Sequence, residues 1–384
     1  MRLLCLALAL LMLCGCAAQS PEPATLPPQT EAPPPPPTTA PTQPPETEPP
    51  DPVAELLDTL STEEKVGQLF LARCPQQNLL EQIQQYRFGG LILFAEDFRD
   101  ETPETITQTL AACQQQSGIP MLIAVDEEGG TVCRVSEHSA FRESPFPSPR
   151  SLYEQGGMEA VLGIEAEKAY LLSSLGINVN MAPVCDITTN AGAFMYRRSL
   201  GQDPYTVGSF AIEATQILGA FGVGAVWKHF PGYGDNADTH TGIAVDNRSL
   251  EELESRDLIP FAMGAISGCD AILVSHTIIS ALDSEYPATL SPAVHTYLRD
   301  IIGFQGVIVT DDLVMSAITR TYTDSEAAVL AVLAGNDLLC STDYPTQYAA
   351  VLEAVQTGRI SQELLDNAVT RVLRWKLQLG LMES

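Results

Sequence analysis

Val223-Gly-Ala-Val-Trp227, followed by Lys228-His-Phe-Pro-Gly-Tyr-Gly-Asp-Asn-Ala-Asp-Thr-His240, is the stretch on which the fold turns. Its first five residues are apolar, β-prone and short, the pattern of a buried strand. The rest is rich in turn formers: Gly232, Gly234, Asp235 and Asn236 favour a looping backbone. Lys228, His229, Asp238 and His240 are crowded into this loop, so reactive side chains stand at the end of a strand. Asp238 and His240, two apart, can meet side by side if Thr239 turns, and a carboxylate beside an imidazole is an acid/base pair in outline. Taken singly, each of these groups has a plainer alternative as a solvated charge or a satisfied loop residue.

The same unit recurs along the chain. Ser61-Thr-Glu-Glu64 fits a capping box, with Val66 to Leu71 leading into the first strand. Further strands are predicted near Leu91–Phe94, Met121–Val125, Asn178–Met181, Gly224–Trp227, Ala271–Val274, Val307–Val309 and Asp337–Cys340. Helical periodicity fills the intervals at 105–115, 159–175, 205–221, 250–266, 292–302, 324–334 and 348–356, with a last helix over 362–378. Parallel strands need crossover helices, and eight such repeats close without edges, so an α/β fold with a single (β/α)8 TIM-type barrel is expected. An open doubly wound sheet is the competing architecture. Strand ends favour the barrel: Asp126, Asp186, Lys228, His276 and Asp311 each fall just after a predicted strand, where barrel enzymes gather their chemistry on one rim.

Bulk properties bound the function. The chain has 384 residues, is 45% hydrophobic and carries a formal charge of -28, enough apolar material for a sizeable core and the wrong sign for a nucleic-acid partner. Leu3 to Cys16 is an uncharged apolar run behind Arg2, too short to span a bilayer and placed as an export signal. Its end, Leu13-Cys-Gly-Cys16, is similar to a bacterial lipobox, making Cys16 the expected lipidation site; cleavage near Ala17 or Ala18 of an ordinary signal is the alternative. From Pro21 to Pro50, 14 of 30 residues are proline, which cannot build a core. At about 3.1 Å per residue such a spacer reaches at most roughly 90 Å. The expected organisation is a lipoprotein-type signal over residues 1–16, a Pro/Thr/Glu-rich linker over 17–52 and a catalytic barrel over 53–384, exported and anchored to the cell membrane by lipid. Cys74, Cys113, Cys133, Cys185, Cys269 and Cys340 mostly sit in or beside apolar runs and are expected to be small buried hydrophobes.

Three further clusters carry chemistry. Asp311-Asp312 follows Val307-Ile-Val-Thr310, and a carboxylate directly behind a buried strand is costly unless it is paired, capping or functional, which suggests one capping and one reacting. Asp126-Glu-Glu-Gly-Gly130 with Arg134 sets acids and a cation at another strand exit, a set able to bracket vicinal sugar hydroxyls; a surface turn with a weak ion pair is the plain alternative. Arg197-Arg198 precedes Gly201 and Asp203-Pro204, and a surface charge before a helix start explains it equally well. His229, Asp238, His240 and His276 invite a metal. No His-x-x-x-His or paired Cys appears, and Lys228 opposes a cation, so neither metal nor cofactor is expected.

These motifs together resemble glycoside hydrolase family 3: Lys228-His-Phe-Pro-Gly232 with Asp238-Thr-His240, Asp126-Glu-Glu-Gly-Gly130 with Arg134, Arg198-Ser-Leu-Gly201 with Asp203-Pro204, and Thr310-Asp-Asp-Leu-Val-Met315. The Asp-Thr-His dyad resembles the bacterial β-N-acetylglucosaminidase branch in particular, over roughly Glu55 to Gly380. The resemblance implies a barrel and a retaining exo-hydrolase acting on terminal N-acetylglucosamine through a covalent glycosyl-enzyme. Carried over residue by residue, it makes Asp311 the nucleophile, His240 the acid/base and Asp238 its partner, with Asp126, Arg134, Arg198, Lys228 and His229 binding the sugar. An imidazole titrating near 6.5 suits both proton transfers. Substrates implied are cell-wall fragments bearing N-acetylglucosamine, then chitin oligosaccharides. The sequence departs from the family pattern at Thr131, where Arg is frequent, and at Tyr233, where His is. Because the chain ends soon after the last helix, all required groups are expected from one barrel. Competing functions are a phosphorylase, since a His acid/base repels phosphate less than a carboxylate does, substrate-assisted hydrolysis on the adjacent Asp126-Glu127 pair, and a lipid-anchored sugar-binding protein with a dead site.

Overall fold

In the computed structural model, which describes residues 51–236 and 242–383, the strands arrange themselves by sequence order around a ring. They are β1 (Phe70–Arg73), β2 (Gly90–Leu93), β3 (Leu122–Val125), β4 (Val179–Asn180), β5 (Gly224–Phe230), β6 (Ala271–Val274), β7 (Val307–Thr310) and β8 (Leu339–Ser341). All neighbours pair in parallel, and β8 returns to β1 in the register Phe70 to Leu339 and Leu71 to Cys340. A parallel bridge from Val309 to Leu338 joins β7 to the start of β8. The sheet is a (β/α)8 barrel of the TIM type, as the eight repeats lead one to expect.

Alternation along each strand builds two apolar layers, which is why the strands read as continuous hydrophobic runs. Phe70, Leu91, Ile123, Trp227, Ile272 and Ile308 face the surrounding helices. Leu71, Ile92, Leu122, Val226, Ala271 and Val309 fill the barrel interior. Val372 and Trp375 from the helix Gln362–Gln378 join that inner cluster, with Leu379 and Leu381 packed against it. One end of the barrel is thereby plugged, and the open end is the one at which the strands finish.

Local structure departs from the periodicity in instructive places. The Ser61 box forms as expected, Ser61 Oγ accepting from the Glu64 amide at 3.2 Å; its helix Thr62–Gln68 includes Val66, and β1 follows at Phe70. Leu250–Ile266, expected as one helix, is two, Leu250–Glu254 and Ile259–Ser267, with Pro260 in the first turn of the second. A helix at Leu79–Tyr86 had no counterpart in the expectations. β5 runs on to Phe230, with a register shift between Trp227 and Phe230, so Lys228 and His229 lie on the strand itself and not just past it. The Cys185 amide donates to the Lys228 carbonyl at 2.6 Å, which keeps that extension tied to the segment after β4. All six cysteines among the described residues are buried thiols, as expected of small apolar side chains.

Candidate active site

At the open end, the segments following β2, β3, β4, β5 and β7 enclose a cavity of about 520 Å³. Ile92, Met181, Leu273 and Cys340 line its base, all members of the barrel interior or its edge. Its walls carry Asp126, Arg134, Arg198, Lys228, His229 and Asp311, six of the eight residues assigned to the site from sequence. The other two, Asp238 and His240, lie outside the described residues, as does Cys16.

The Asp126-Glu127-Glu128 run shows how one strand exit divides its labour. Side chains alternate along an extended backbone, so residues 126 and 128 turn one way and 127 the other. Glu127 is buried and accepts from the backbone amides of Arg134 (2.9 Å) and Val135 (2.7 Å), with Ser136 Oγ donating to its other oxygen. It pins the hairpin Glu127–Gly129 and Val132–Cys133, which reverses at Gly129 and Gly130, both with positive φ (96° and 68°), and so returns Arg134 to the cavity. Glu127 is thus a scaffold, and no adjacent pair of carboxylates faces the cavity there, which removes the geometry that substrate-assisted hydrolysis on Asp126-Glu127 requires.

Glu128 is the group that sequence reasoning passed over. Its carboxylate is buried and receives Arg198 Nε at 2.9 Å and Nη2 at 2.6 Å on its two oxygens, a bidentate fork, while Lys228 Nζ lies 2.7 Å from Oε1. Burial pushes its carboxyl upward, but Arg198 and then Lys228 outweigh that and hold it well below the ordinary carboxylate range. Reciprocally, burial works against both cations, yet Glu128 raises Arg198, and Asp126 with Glu128 raises Lys228. Lys228 Nζ also donates to Asp126 Oδ1 at 2.6 Å, and Arg134 Nε stands 3.9 Å from Asp126 Oδ2. A chain of alternating charges therefore runs along the cavity wall, Arg134, Asp126, Lys228 and Arg198, with Glu128 buried behind it and joining the last two.

His229 completes this chain. Its Nδ1 lies 2.7 Å from Asp186 Oδ2 and its Nε2 lies 3.2 Å from Arg198 Nη2, a nitrogen that can only donate. The tautomer protonated on Nδ1 satisfies both neighbours. Asp186 also accepts from the His229 and Tyr233 amides at 3.2 and 2.7 Å, so one buried carboxylate orients the ring and anchors the turn beyond it. Tyr233 packs edge-on against His229, with ring centroids 5.1 Å apart. The Arg197-Arg198 pair splits, with Arg197 exposed and Arg198 turned inward over Phe194.

The two aspartates after β7 also divide their work. Asp312 accepts from the Val314 amide, the Thr342 amide and Thr342 Oγ1, tying the turn to the segment after β8, and burial raises its carboxyl in spite of those bonds. Asp311 lines the cavity, with its Oδ1 accepting from the Asp312 amide at 2.9 Å. His276 lies beneath this turn, Nε2 3.0 Å from the Asp312 carbonyl and Nδ1 2.8 Å from Thr289 Oγ1, so it supports the backbone. Among the described residues no group of three or more His, Cys, Asp or Glu side chains is placed to hold a metal ion.

Residues 61–375 match the family model described as the glycosyl hydrolase family 3 N terminal domain. The chain belongs to glycosyl hydrolase family 3. Within that family it is 32% identical over 330 residues to beta-hexosaminidase A of Pseudoalteromonas piscicida, covering 78% of this chain and 55% of that protein. It is 35% identical over 242 residues to a beta-hexosaminidase of Xylella fastidiosa (strain M23), covering 62% and 70% respectively. Among solved structures it is similar to a glycoside hydrolase family 3 beta-N-acetylglucosaminidase from Paenibacillus sp. str. FPU-7, with TM-score 0.78 and 33% identity over 85% of this chain and 64% of that one. This family 3 chain therefore spans little more than half the length of the first of these relatives.

Proposed function

We propose that the protein is a retaining exo-β-N-acetylglucosaminidase that releases terminal N-acetylglucosamine from cell-wall-derived or chitin-derived saccharides. The observation that carries this reading is the placement of Asp311 on the wall of the same closed-bottom cavity that a paired chain of charges lines, in a family 3 barrel whose relatives bear the name beta-hexosaminidase. Asp126 would accept from sugar hydroxyls, since one oxygen is held by Lys228 and the other has Arg134 only at 3.9 Å. Lys228 and Arg134 would donate to neighbouring oxygens.

In the first step an oxygen of Asp311 bonds to the anomeric carbon as the aglycone oxygen leaves and takes a proton from His240. In the second, His240 removes a proton from water, whose oxygen displaces Asp311 and restores the carboxylate. Asp238 would keep the imidazole oriented and stabilise its charged form. The apo-network supports the sugar site independently of this dyad, because Glu128 and Asp186 fix Arg198, Lys228 and His229 before any ligand binds. Lipidation at Cys16 and a proline-rich tether would hold such an enzyme at the outer side of the membrane, within reach of wall fragments. Replacing Cys16 by Ser should then release the protein from the membrane fraction.

The decisive test is nitrophenol release from the N-acetyl-β-glucosaminide, with Asp311→Asn as control and product analysis in phosphate buffer. Wild-type activity that disappears in Asp311→Asn supports the reading. Silence from folded wild-type protein supports a sugar-binding role, and a glycosyl phosphate product supports phosphorolysis.

A further inference from the structure

Beside the cavity, a second and separate ion-pair cluster holds the two stems of the segment that contains Asp238 and His240. Arg248 is at its centre. Its Nε lies 3.0 Å from both carboxylate oxygens of Asp246, its Nη2 2.6 Å from Asp246 Oδ2, and its Nη1 2.6 Å from Asp257 Oδ2. Asp246 and Asp257 are both buried, at 2% and 1% exposure, so the guanidinium plane is gripped on two sides by carboxylates that cannot swing into solvent.

The face of this plate carries backbone. Arg248 Nη2 donates to the Gly232 carbonyl at 3.4 Å. A Cβ on Gly234, whose φ is +55°, would stand 2.7 Å from Arg248 Cζ and Nη2. A Cβ on Gly232, at φ +116°, would stand 2.7 Å from Asp257 Cβ and 2.9 Å from Asp257 Oδ1. Both glycines are required because the chain lies flat on the Arg248–Asp257 pair. The return stem is fastened independently: Val245 and Asp246 pair in parallel with Ile278 and Ile279. Arg248 therefore joins the outgoing stem at Gly232 to the return stem at Asp246, closing a segment of 13 residues, 233–245, across its base. Gly232 and Asp246 are thereby held in one relative placement before substrate arrives.

We propose that Arg248, held by Asp246 and Asp257, is a positioning residue that clamps the stems of the 233–245 segment so that its acid/base pair reaches the leaving-group oxygen. This rests on the proposed role of His240. Arg248 is absent from the residues lining the cavity, so it acts through backbone placement. Its loss should affect the step that needs a proton delivered, and leave the sugar site and Asp311 working.

The experiment compares Arg248→Lys, Arg248→Met and Gly234→Ala with wild type and His240→Ala on two N-acetyl-β-glucosaminides. One has a dinitrophenolate leaving group, which departs without a proton, and the other is a disaccharide, which cannot. Gly234→Ala attacks the clamp from its other face without removing a charge. The expected result is a fall in disaccharide kcat of about 10- to 100-fold in Arg248→Met and Gly234→Ala, with less than about 3-fold loss on the activated substrate and unchanged fluorosugar labelling of Asp311. Arg248→Lys should recover part of the loss, since it keeps the charge but not the fork. Equal losses on both substrates, or none on either, overturn the clamp while leaving the acid/base reading intact. If His240→Ala itself shows no dependence on leaving group, the acid/base reading falls and the clamp with it. Melting curves recorded on each variant separate a misfolded protein from a misplaced loop, and Gly234→Ala decides the matter if Arg248→Met unfolds.

Discussion

Glu128→Gln is the substitution that most directly tests whether the charge chain on the cavity wall is a working unit. The change is nearly isosteric, yet it replaces a carboxylate that accepts Arg198 at 2.6 and 2.9 Å and Lys228 at 2.7 Å by a group with one acceptor oxygen and a donor amide. Whichever way the amide is placed, its N–H₂ meets a cation. The site is 2% exposed, so water cannot substitute for the lost charge. Removing one member of a buried ion pair typically costs about 3–5 kcal/mol. At about 2–4 °C per kcal/mol for domains of 150–250 residues, and somewhat less for a larger one, the melting temperature should fall by roughly 5–15 °C.

The pH dependence has a definite sign. Burial raises the Glu128 carboxyl, but Arg198 and Lys228 hold its folded-state value below the ordinary range, so its stabilisation is present above the unfolded value of 4.5 and is lost as pH falls through the folded one. The gap between wild type and Glu128→Gln should therefore stay constant from about pH 8 to pH 5 and narrow only under strongly acidic conditions. With Glu128 gone, Lys228 is left to Asp126 alone and Arg198 loses its fork, so KM for the nitrophenyl N-acetylglucosaminide should rise by about 10-fold or more. Calorimetry across pH and steady-state kinetics on the same preparation read both effects. A fall of less than 2 °C together with an unchanged KM would show that the network does not organise the sugar site.

Two other expectations use different parts of the molecule. His240→Ala should lower turnover on a disaccharide by about 10²–10⁴-fold and much less on substrates with good leaving groups; full disaccharide activity would remove His240 from the mechanism. Lys376 is fully buried beneath the barrel with Gln68 Oε1 2.6 Å from its ammonium, and burial lowers it to about 7 from 10.5. Unfolding then takes up a proton between those values, so a penalty of about 4–5 kcal/mol is absent above pH 10.5 and full below about 7. Lys376→Met should raise the melting temperature at pH 7, less the cost of about 1–3 kcal/mol for stranding Gln68, and the gain should shrink toward pH 10. A gain that does not vary with pH would place the proton elsewhere.

The barrel was legible in the chain because its signals are local. A run such as Val307-Ile-Val-Thr310 buries both faces and says so in four residues, and eight such runs separated by helical periodicity leave few topologies open. Asp126 and Asp311 stand immediately behind strands, and Lys228 and His229 within one, so strand assignment alone was enough to bring them to one rim. Where a helix breaks or a strand ends was less legible. Pro260 divides a pattern that the apolar spacing shows as continuous.

Pairing was decided only in three dimensions. Glu127 and Glu128 are adjacent and chemically alike, yet one holds a hairpin and the other neutralises Arg198, 70 residues away, because strand alternation turns them to opposite sides. Asp186 gave its position away at a strand end, but nothing along the chain shows that it orients His229, 43 residues on. Arg248 sits in an unremarkable Asp-Asn-Arg turn, and only the closure of the barrel lays Gly232 and Gly234 against it. Backbone periodicity is a property of neighbours in sequence, and so composition could specify the scaffold and the stock of reactive groups. A buried charge takes its partner from whatever the fold brings within about 3 Å, and that is settled by tertiary structure.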